Sequence, residues 1–301
     1  MTTSERIIAL VNHMAPSEGY TASSMDGVSF MRADRPLTRT PVLYEPSIVL
    51  VCQGRKRGFL GDDVFVYDAN HYLVLSVPLP FSTETEASPT HPLLAVSIAL
   101  DPFVVSELVV AVDPPGDRSI ATPRGIYSTP IRTRLSNALL RLLESLMSPL
   151  ESRIVGPLVV REILFLVLTG EQGEAMRASL RSTGDFHKIS KALRRIQKDY
   201  SGAIDIEALS IECGMSVPTF HRHFKTITQT TPIQYLKSTR LHQARLLMIR
   251  RGLTAAAAAT AVGYESPSQF SREFKRVFGK TPGEEASVMK AAFSWSAAIC
   301  E

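Results

Sequence analysis

From Pro41 to Leu100 the apolar residues come in short runs rich in Val, Tyr, Phe and Leu, broken by Pro, Gly and Asp, and such runs read as strands. Leu43 to Cys52, Gly58 to Leu60, Val64 to Tyr67, Tyr72 to Val77 and Leu93 to Leu100 are the predicted strands, with a hairpin turn at Gly61-Asp62-Asp63. Short strands without intervening helices predict a small barrel or sandwich. Asp101-Pro102 is an N-cap followed by proline at the first helical position, which starts a helix through about Val110. Beyond Pro130 the apolar period lengthens to that of a helix. Leu135, Leu139, Leu142 and Leu146 lie on one face of a helix from Ile131 to Met147, and a second helix runs from about Pro157 to Thr169. The leucine face either packs on the barrel or is shared with a second subunit. Gly170 to Gly184 has the composition of a boundary, and everything after it reads as helical. The division is therefore 1–180 and 185–290.

Within the helical part the chain matches itself at an offset of 50. Ser216, Phe220, Arg222, Phe224, Lys225, Thr231 and Pro232 recur as Ser266, Phe270, Arg272, Phe274, Lys275, Thr281 and Pro282, and each copy follows a glycine turn, Gly214 or Gly263. Ser266 can cap a helix whose first residue is Pro267; Ser216 serves the first copy, with Pro218 still inside the first turn. Phe220, Phe224 and Ile227 form a buried stripe, as do Phe270, Phe274 and Val277. The opposite faces carry Pro218, His221, Arg222 and Lys225 in one copy and Ser268, Ser271, Arg272 and Lys275 in the other. A short helix, a glycine turn and a second helix with a basic, hydrogen-bonding outer face is the helix-turn-helix arrangement. The two motifs span about 205–228 and 254–278. The connector between them, Ile233 to Arg250, reads as one helix of roughly 27 Å at about 1.5 Å per residue, close to the ~34 Å between successive major-groove turns on one face of DNA.

Charge supports a polyanion partner. Before Leu180 there are 15 Lys+Arg against 19 Asp+Glu, and after it 18 against 10, so the parts carry −4 and +8. A basic module beside a mildly acidic one fits phosphate binding by the second part alone. With 301 residues of which 45% are hydrophobic, the chain can fill a core in each part. Cys52, Cys213 and Cys300 are scattered and odd in number, which suggests neither a disulfide framework nor a zinc site and fits a reducing cytoplasm. The most hydrophobic stretch, Ile154 to Leu168, is interrupted by Gly156, Pro157, Arg161 and Glu162, so no membrane segment is expected.

The segments Gly214-Met-Ser-Val-Pro-Thr-Phe-His-Arg-His-Phe-Lys, Thr231-Pro232-Ile-Gln-Tyr235 with Arg240 and Ala244, Gly263-Tyr-Glu-Ser-Pro-Ser-Gln-Phe-Ser-Arg-Glu-Phe-Lys and Gly279-Lys-Thr-Pro282 resemble the AraC/XylS family. The resemblance implies seven helices, with recognition helices at about Val217 to Thr228 and Pro267 to Phe278 entering two major grooves of double-stranded DNA. Carried onto this chain, the base-facing positions are Pro218, Thr219, His221 and Arg222, then Pro267, Ser268, Ser271 and Arg272. Lys225 and Lys275 are placed for phosphates. Two departures stand out. Gln229 occupies the place where the second copy has Gly279, and a left-handed Gln costs of order 1 kcal/mol. The scaffold helix of the second motif is Thr254 followed by Ala255 to Ala259, which offers little apolar surface and predicts a less firmly held reader.

Leu43-Tyr44-Glu45-Pro46, Gln53-Gly54-Arg55-Lys56, Gly61-Asp62 and Tyr72-Leu-Val-Leu resemble, more loosely, the N-terminal domain of one AraC-type branch. That implies a cupin-like barrel followed by helices that dimerise or dock on the DNA-binding domain. A barrel in a sensor position would enclose an apolar effector pocket, and a filled barrel that only dimerises is the other reading. A metal-dependent cupin enzyme needs converging His/Glu ligands, whereas His71 and His91 are solitary, so no metal, cofactor or catalytic set is predicted. Cys52 precedes Arg55-Lys56-Arg57, whose cations would lower its pKa and expose a thiolate to electrophiles or oxidants; the plainer reading is a small apolar side chain in a sheet. The expected protein is a two-domain α+β cytoplasmic regulator with an N-terminal cupin-like β-barrel and flanking helices, and a C-terminal all-α tandem helix-turn-helix domain. Its expected partners are promoter DNA, a small-molecule effector, a second copy of itself and, for an activator, RNA polymerase. The competing expectation is a small-molecule-binding or catalytic cupin that binds no specific DNA.

Overall fold

The run Ser47–Gln53 is apolar on both sides of its pleat, and six of its seven residues are buried, as a strand covered on two faces requires. A computed structural model describes residues 1–113, 124–180 and 184–292, with side chains through 287, and places this run at the centre of the N-terminal domain. Among the described residues, ten antiparallel strands form two sheets. They are β1 (Gly19–Ala22), β2 (Val28–Ala33), β3 (Leu37–Tyr44), β4 (Ser47–Gln53), β5 (Arg55–Leu60), β6 (Asp63–Asp68), β7 (His71–Leu75), β8 (Leu79–Glu86), β9 (Leu93–Ala99) and β10 (Ile126–Pro130). The six-stranded sheet runs β1-β2-β9-β4-β7-β10 and the four-stranded sheet β3-β8-β5-β6. Val49, Val51, Leu73, Leu75 and Ala95 from the first meet Leu60, Tyr67, Leu79 and Phe81 from the second in the barrel core.

The predicted run Leu43 to Cys52 is two strands, broken at Glu45-Pro46, and β5 begins at Arg55 rather than Gly58. The basic triplet is thus part of the strand. It is held there on both sides, by β6 and by β8, with alternate burial. Arg55 and Arg57 face outward to Asp68, Glu84 and Glu86 at 3.1–3.7 Å, while Lys56 points into the barrel.

Helices cover the second face of the six-stranded sheet. They are α1 (Thr3–Met14), which starts in a capping box between Thr2 and Glu5, α2 (Pro102–Val112), α3 (Thr133–Ser145), α4 (Pro149–Ile154), α5 (Gly156–Leu168) and α6 (Gly173–Leu180). Leu135, Leu139, Leu142 and Leu146 are all buried in this layer against α1, α5 and the sheet, so packing within one chain accounts for the leucine face. The expected boundary from 170 to 184 contains α6, and its residues 181–183 lie outside the described set. Tertiary bonds make this polar segment a helix: Tyr127 Oη donates to Ala175 O at 2.9 Å, and Arg177 Nε pairs with Asp113 Oδ2 at 2.8 Å.

Among the described residues the C-terminal part forms seven helices, the number implied by the resemblance: α7 (Gly184–Asp199), α8 (Ile206–Glu212), α9 (Val217–Thr228), α10 (Pro232–Arg251), α11 (Ala255–Ala261), α12 (Pro267–Phe278) and α13 (Pro282–Ala292). The two motifs have unequal cores. Phe220, Phe224, Ile227 and Tyr235 of the first join the barrel core in one continuous cluster, whereas the second packs Leu241, Met248, Ala258, Ala259, Phe270 and Phe274 in a smaller one of its own. Alanine at 258 and 259, both fully buried, lets α11 lie close to α10.

Gln229 ends α9 with φ 57°, the one non-glycine residue with positive φ among the described residues. Its side chain lies over the β5–β6 turn, where a Cβ on Gly61 would meet Gln229 Cβ at 3.5 Å. The strained cap thus also touches the barrel. Gln229→Gly is expected to raise the unfolding free energy by about 0.5–1 kcal/mol through relief of the left-handed strain. Urea unfolding checks this, and a loss of stability would mean that the contact over Gly61 outweighs the strain.

Candidate nucleic-acid interface and interdomain cavity

The stripe of Phe220 and Phe224 is fully buried, and so is that of Phe270 and Phe274, which fixes the outward face of each recognition helix. Pro218, Arg222 and Lys225 are exposed on α9, with Thr219 and His221 half-buried; Pro267, Ser268, Arg272 and Lys275 are exposed on α12, with Ser271 half-buried. The predicted residues therefore form two equivalent surfaces. No described carboxylate pairs with Arg222, Lys225, Arg272 or Lys275. Arg276, exposed in the last turn of α12, adds a cation that the repeat comparison missed because the matching residue is Thr226.

The caps differ from expectation at one point. Ser266 accepts from Gln269 N at 3.3 Å as predicted, but Ser216, although at the N-cap of α9, donates its hydroxyl to Thr219 Oγ1 at 3.0 Å and makes no bond to a backbone N–H. Pro218, one position later than its counterpart Pro267, goes with this change. Thr219 is consequently oriented by Ser216 at the start of the reading face.

Helix α10 joins everything. Arg240 donates to Tyr200 O at 2.7 Å and Gly202 O at 2.8 Å beside the first motif, and Lys237 Nζ reaches Glu273 Oε1 at 2.7 Å in the second recognition helix. Burial of the Glu273 carboxyl works against ionisation, but bonds from Lys237, Tyr264 and Gln269 hold its pKa below the ordinary range. On the barrel side, Tyr235 Oη donates to Pro78 O at 2.9 Å and Arg245 Nη1 to Pro41 O at 3.1 Å. Arg245 also forms a buried pair with Glu285 Oε1 of α13 at 2.6 Å and lies 4.9 Å over the Phe278 ring at the end of α12.

Between the barrel and α10 is a cavity of about 770 Å³, within the range that holds small-molecule ligands. Val42, Val49, Ala95, Leu246 and Ile249 supply apolar wall, and Tyr20, Tyr44, Lys56, His242, Arg245 and Arg250 supply polar groups. Burial, and then the neighbouring Arg245, push the His242 imidazole down to about 3, so it is neutral near pH 7.

Cys52 is elsewhere. It faces the helical layer, not the cavity, and its thiol is pushed up to about 12 by burial, opposite to the direction expected from the basic triplet. The cations belong to the other sheet: Arg55 and Arg57 are engaged by carboxylates on its outer face and Lys56 points into the barrel, whereas Cys52 faces the helices from the six-stranded sheet. Cys213 is also buried, and Cys300 lies outside the described residues. Among the described residues no His/Cys/Asp/Glu group could hold a metal ion, and no helix is long and apolar enough to cross a membrane.

Comparison with known proteins agrees with this layout. Residues 24–175 match the family described as the AraC-type transcriptional regulator N-terminus, and residues 209–286 match a helix-turn-helix domain. The chain is 24% identical over 167 residues to the virulence regulon transcriptional activator VirF of Yersinia enterocolitica, covering 56% of this chain and 61% of that protein. It is 38% identical over 79 residues to the RCS-specific HTH-type transcriptional activator RclR of Escherichia coli, covering 26% of this chain and 28% of that one. The chain thus spans less than two thirds of the length of these curated relatives. The structure of ToxT from Vibrio cholerae shares the whole two-domain fold, with a TM-score of 0.60 at 13% identity over 90% of this chain and 98% of ToxT. Another ToxT structure holds an unsaturated fatty acid, at a TM-score of 0.59 and 12% identity over 85% of this chain and 94% of that one.

Proposed function

The chain belongs to the AraC family of transcriptional regulators, and from that premise we propose that it binds specific promoter DNA through α9 and α12 and activates transcription in response to a small molecule. The observation that carries this reading is the duplicated exposed face, with Arg222 and Lys225 on one helix and Arg272 and Lys275 at the same places on the other, none held by a carboxylate of the described residues. Arg at these positions can fork onto guanine, Ser, Thr and His can bond base edges, and the lysines track phosphates. α10, 20 residues and about 30 Å at ~1.5 Å per residue, sets the readers on successive turns of one duplex face. Activation is favoured by the relatives, VirF and RclR both being activators. RNA polymerase is then a further partner, and the cytoplasm is the site of action.

The effector site in this proposal is the cavity between barrel and α10, by analogy with the fatty acid held by ToxT. α10 supplies part of its wall and holds both readers, so a ligand there would shift their spacing. A homodimer is supported by Leu150, Ile154 and Leu158, exposed four residues apart along α4 and α5, an apolar stripe that a second copy would cover. A barrel protein that binds no specific DNA would leave the paired basic faces without a role. Selection of the full-length protein on a pool of random duplexes tests the proposal. The expected result is one enriched motif with two elements about 10–10.5 base pairs apart; retention of duplexes without any enriched motif would overturn it.

A further inference from the structure

We propose that Glu273 is a positioning residue for DNA reading: its carboxylate clasps α12 to α10 and so aims the second recognition helix, which sets base selectivity at one of the two elements of the site. The proposal rests on the reading of α12 as a DNA reader and names what holds that reader in line.

Glu273 is the one carboxylate in α12, and α9 has none. A negative charge beside Arg272, Lys275 and Arg276 works against binding a phosphate backbone, so its place in a recognition helix calls for a reason. It is not a solvated surface charge, because its side chain is only 13% exposed. Its carboxylate accepts from donors on three parts of the motif: Lys237 Nζ of α10 at 2.7 Å, Tyr264 Oη of the turn before α12 at 2.8 Å, and Gln269 Nε2 one turn earlier on α12 at 3.2 Å. Bonds to an ionised acceptor are the strong ones. Tyr264 is in turn tied to α11, donating its N–H to Ala259 O at 3.0 Å, and its ring stands edge-on to Phe270 at 5.3 Å.

The clasp supplies what the alanine scaffold lacks. In the first motif α9 lies against α10 through Phe224, edge-on to Tyr235, and the residue matching Glu273 is His223, which turns instead to Asp185 of α7 at 3.4 Å. In the second motif α12 meets α10 at two separated places. One is Glu273 on Lys237; the other is Phe278, at the end of α12, which lies under Arg245 at 4.9 Å and edge-on to His242 at 5.2 Å. Two attachments fix the direction of a helix, whereas one leaves a pivot. Ser268, Ser271 and Arg272 all lie on the far side of Glu273 from Phe278, so release of the clasp moves the base-facing residues most. A tilt of ~10° about Phe278 displaces Ser268, roughly 15 Å away along the helix, by about 2–3 Å, enough to unmake a hydrogen bond to a base.

Titration of the full-length protein and its variants tests this against four duplexes: the site selected from the random pool, that site with either element scrambled, and a random sequence. The element that Arg272→Ala relaxes belongs to α12. Glu273→Gln is expected to reduce the preference for an intact α12 element by at least ~5-fold, the equivalent of one base contact. The preference for the α9 element should stay as in the parent, and random DNA should bind equally well or better. Lys237→Met should reduce the same preference although it lies outside the recognition helix. Tyr264→Phe keeps the ring on Phe270 and deletes only the hydroxyl, so it serves where a charge change unfolds the motif, with an expected reduction of roughly 2- to 5-fold. Parent-like preference for the α12 element in all three variants would overturn the clasp and leave DNA reading standing. A loss confined to one base pair in Glu273→Gln and absent from Lys237→Met would overturn it by making Glu273 a cytosine contact. Equal weakening on all four duplexes would overturn it too, since the motif would then be destabilised rather than re-aimed. If the parent protein enriches no motif at all, the reading of α12 falls and the proposal falls with it.

Discussion

Phe224→Ala is expected to lower the unfolding free energy by about 3–5 kcal/mol and to abolish sequence-selective DNA binding. The ring is fully buried, tilted against Phe220 at 5.6 Å and edge-on to Tyr235 at 5.5 Å. Truncation opens a cavity where the first motif meets the barrel, because Phe224 belongs to the cluster that also contains Leu79, Phe81 and Ile126. Urea unfolding followed by near-ultraviolet dichroism should show the tertiary signals of both domains lost earlier. Phe274→Ala makes the matching change in the second motif, whose core is separate. It should weaken that motif and leave the barrel transition near its original midpoint. A Phe224→Ala penalty below about 1 kcal/mol would show that this core can collapse around the gap.

Glu285→Ala is expected to cost about 3–5 kcal/mol, since it strands a buried guanidinium without its counter-ion. Arg245 and Glu285 both have side chains only 8% exposed, and the guanidinium simultaneously reaches Pro41 O and the Phe278 ring. The single change therefore loosens α13, the end of α12 and the barrel edge at once. Replacing both residues with methionine should recover most of the stability, because a buried pair exchanged for apolar groups is often neutral. The double variant would still lack the bond to Pro41, so its operator affinity should stay below that of the parent. Denaturant midpoints and binding isotherms for the two variants check both statements; full stability in Glu285→Ala would mean that the pair is solvated in solution.

The C-terminal domain is legible in the sequence because its helices carry their instructions locally. The cap at Ser266, the glycine turns and the phenylalanines at helical spacing all point the same way, and the structure follows them closely except at Ser216, whose hydroxyl makes no bond to a backbone N–H. The sheets are less legible. β8 alternates inward Leu79, Phe81, Thr83 and Thr85 with outward Pro80, Ser82, Glu84 and Glu86, so its apolar signal fades halfway along. β3 contains Pro41, which demotes a strand in sequence but is tolerated at the edge of the four-stranded sheet, where β3 lies. α6 looks like a linker because Gly173, Glu174 and Ser179 dominate it, and only its contacts with Tyr127 and Asp113 make it a helix.

The DNA-facing residues are visible for the same reason as their helices: the buried stripe fixes the opposite face. The cavity residues are not, since they converge from β1, β3, β5 and α10, distant parts of the chain. One signal was there. In Arg55-Lys56-Arg57-Gly58-Phe59-Leu60 the alternation that buries Gly58 and Leu60 also buries Lys56, but a run of three cations hides that alternation, and the strand reads as starting only at Gly58 until its neighbours are known. The same misplacement suggested a thiolate at Cys52. Its neighbours in sequence are cations, whereas its neighbours in space are the apolar side chains of the helical layer.

The central claim, that two unequal helices read DNA sequence, is tested most directly by titrating the parent protein, Arg222→Ala, Arg272→Ala and Lys225→Ala against the selected site and a scrambled duplex at several salt concentrations. Arg222→Ala should lose about 1–3 kcal/mol on the selected site and little on the scrambled one. Arg272→Ala should lose less, because the first motif is anchored in the barrel core and the second stands on a small alanine-rich one. Lys225→Ala should weaken both duplexes alike and reduce the salt slope by about 1. Equal losses on selected and scrambled DNA for both arginine variants would contradict the account, since the two helices would then be holding phosphates and reading nothing.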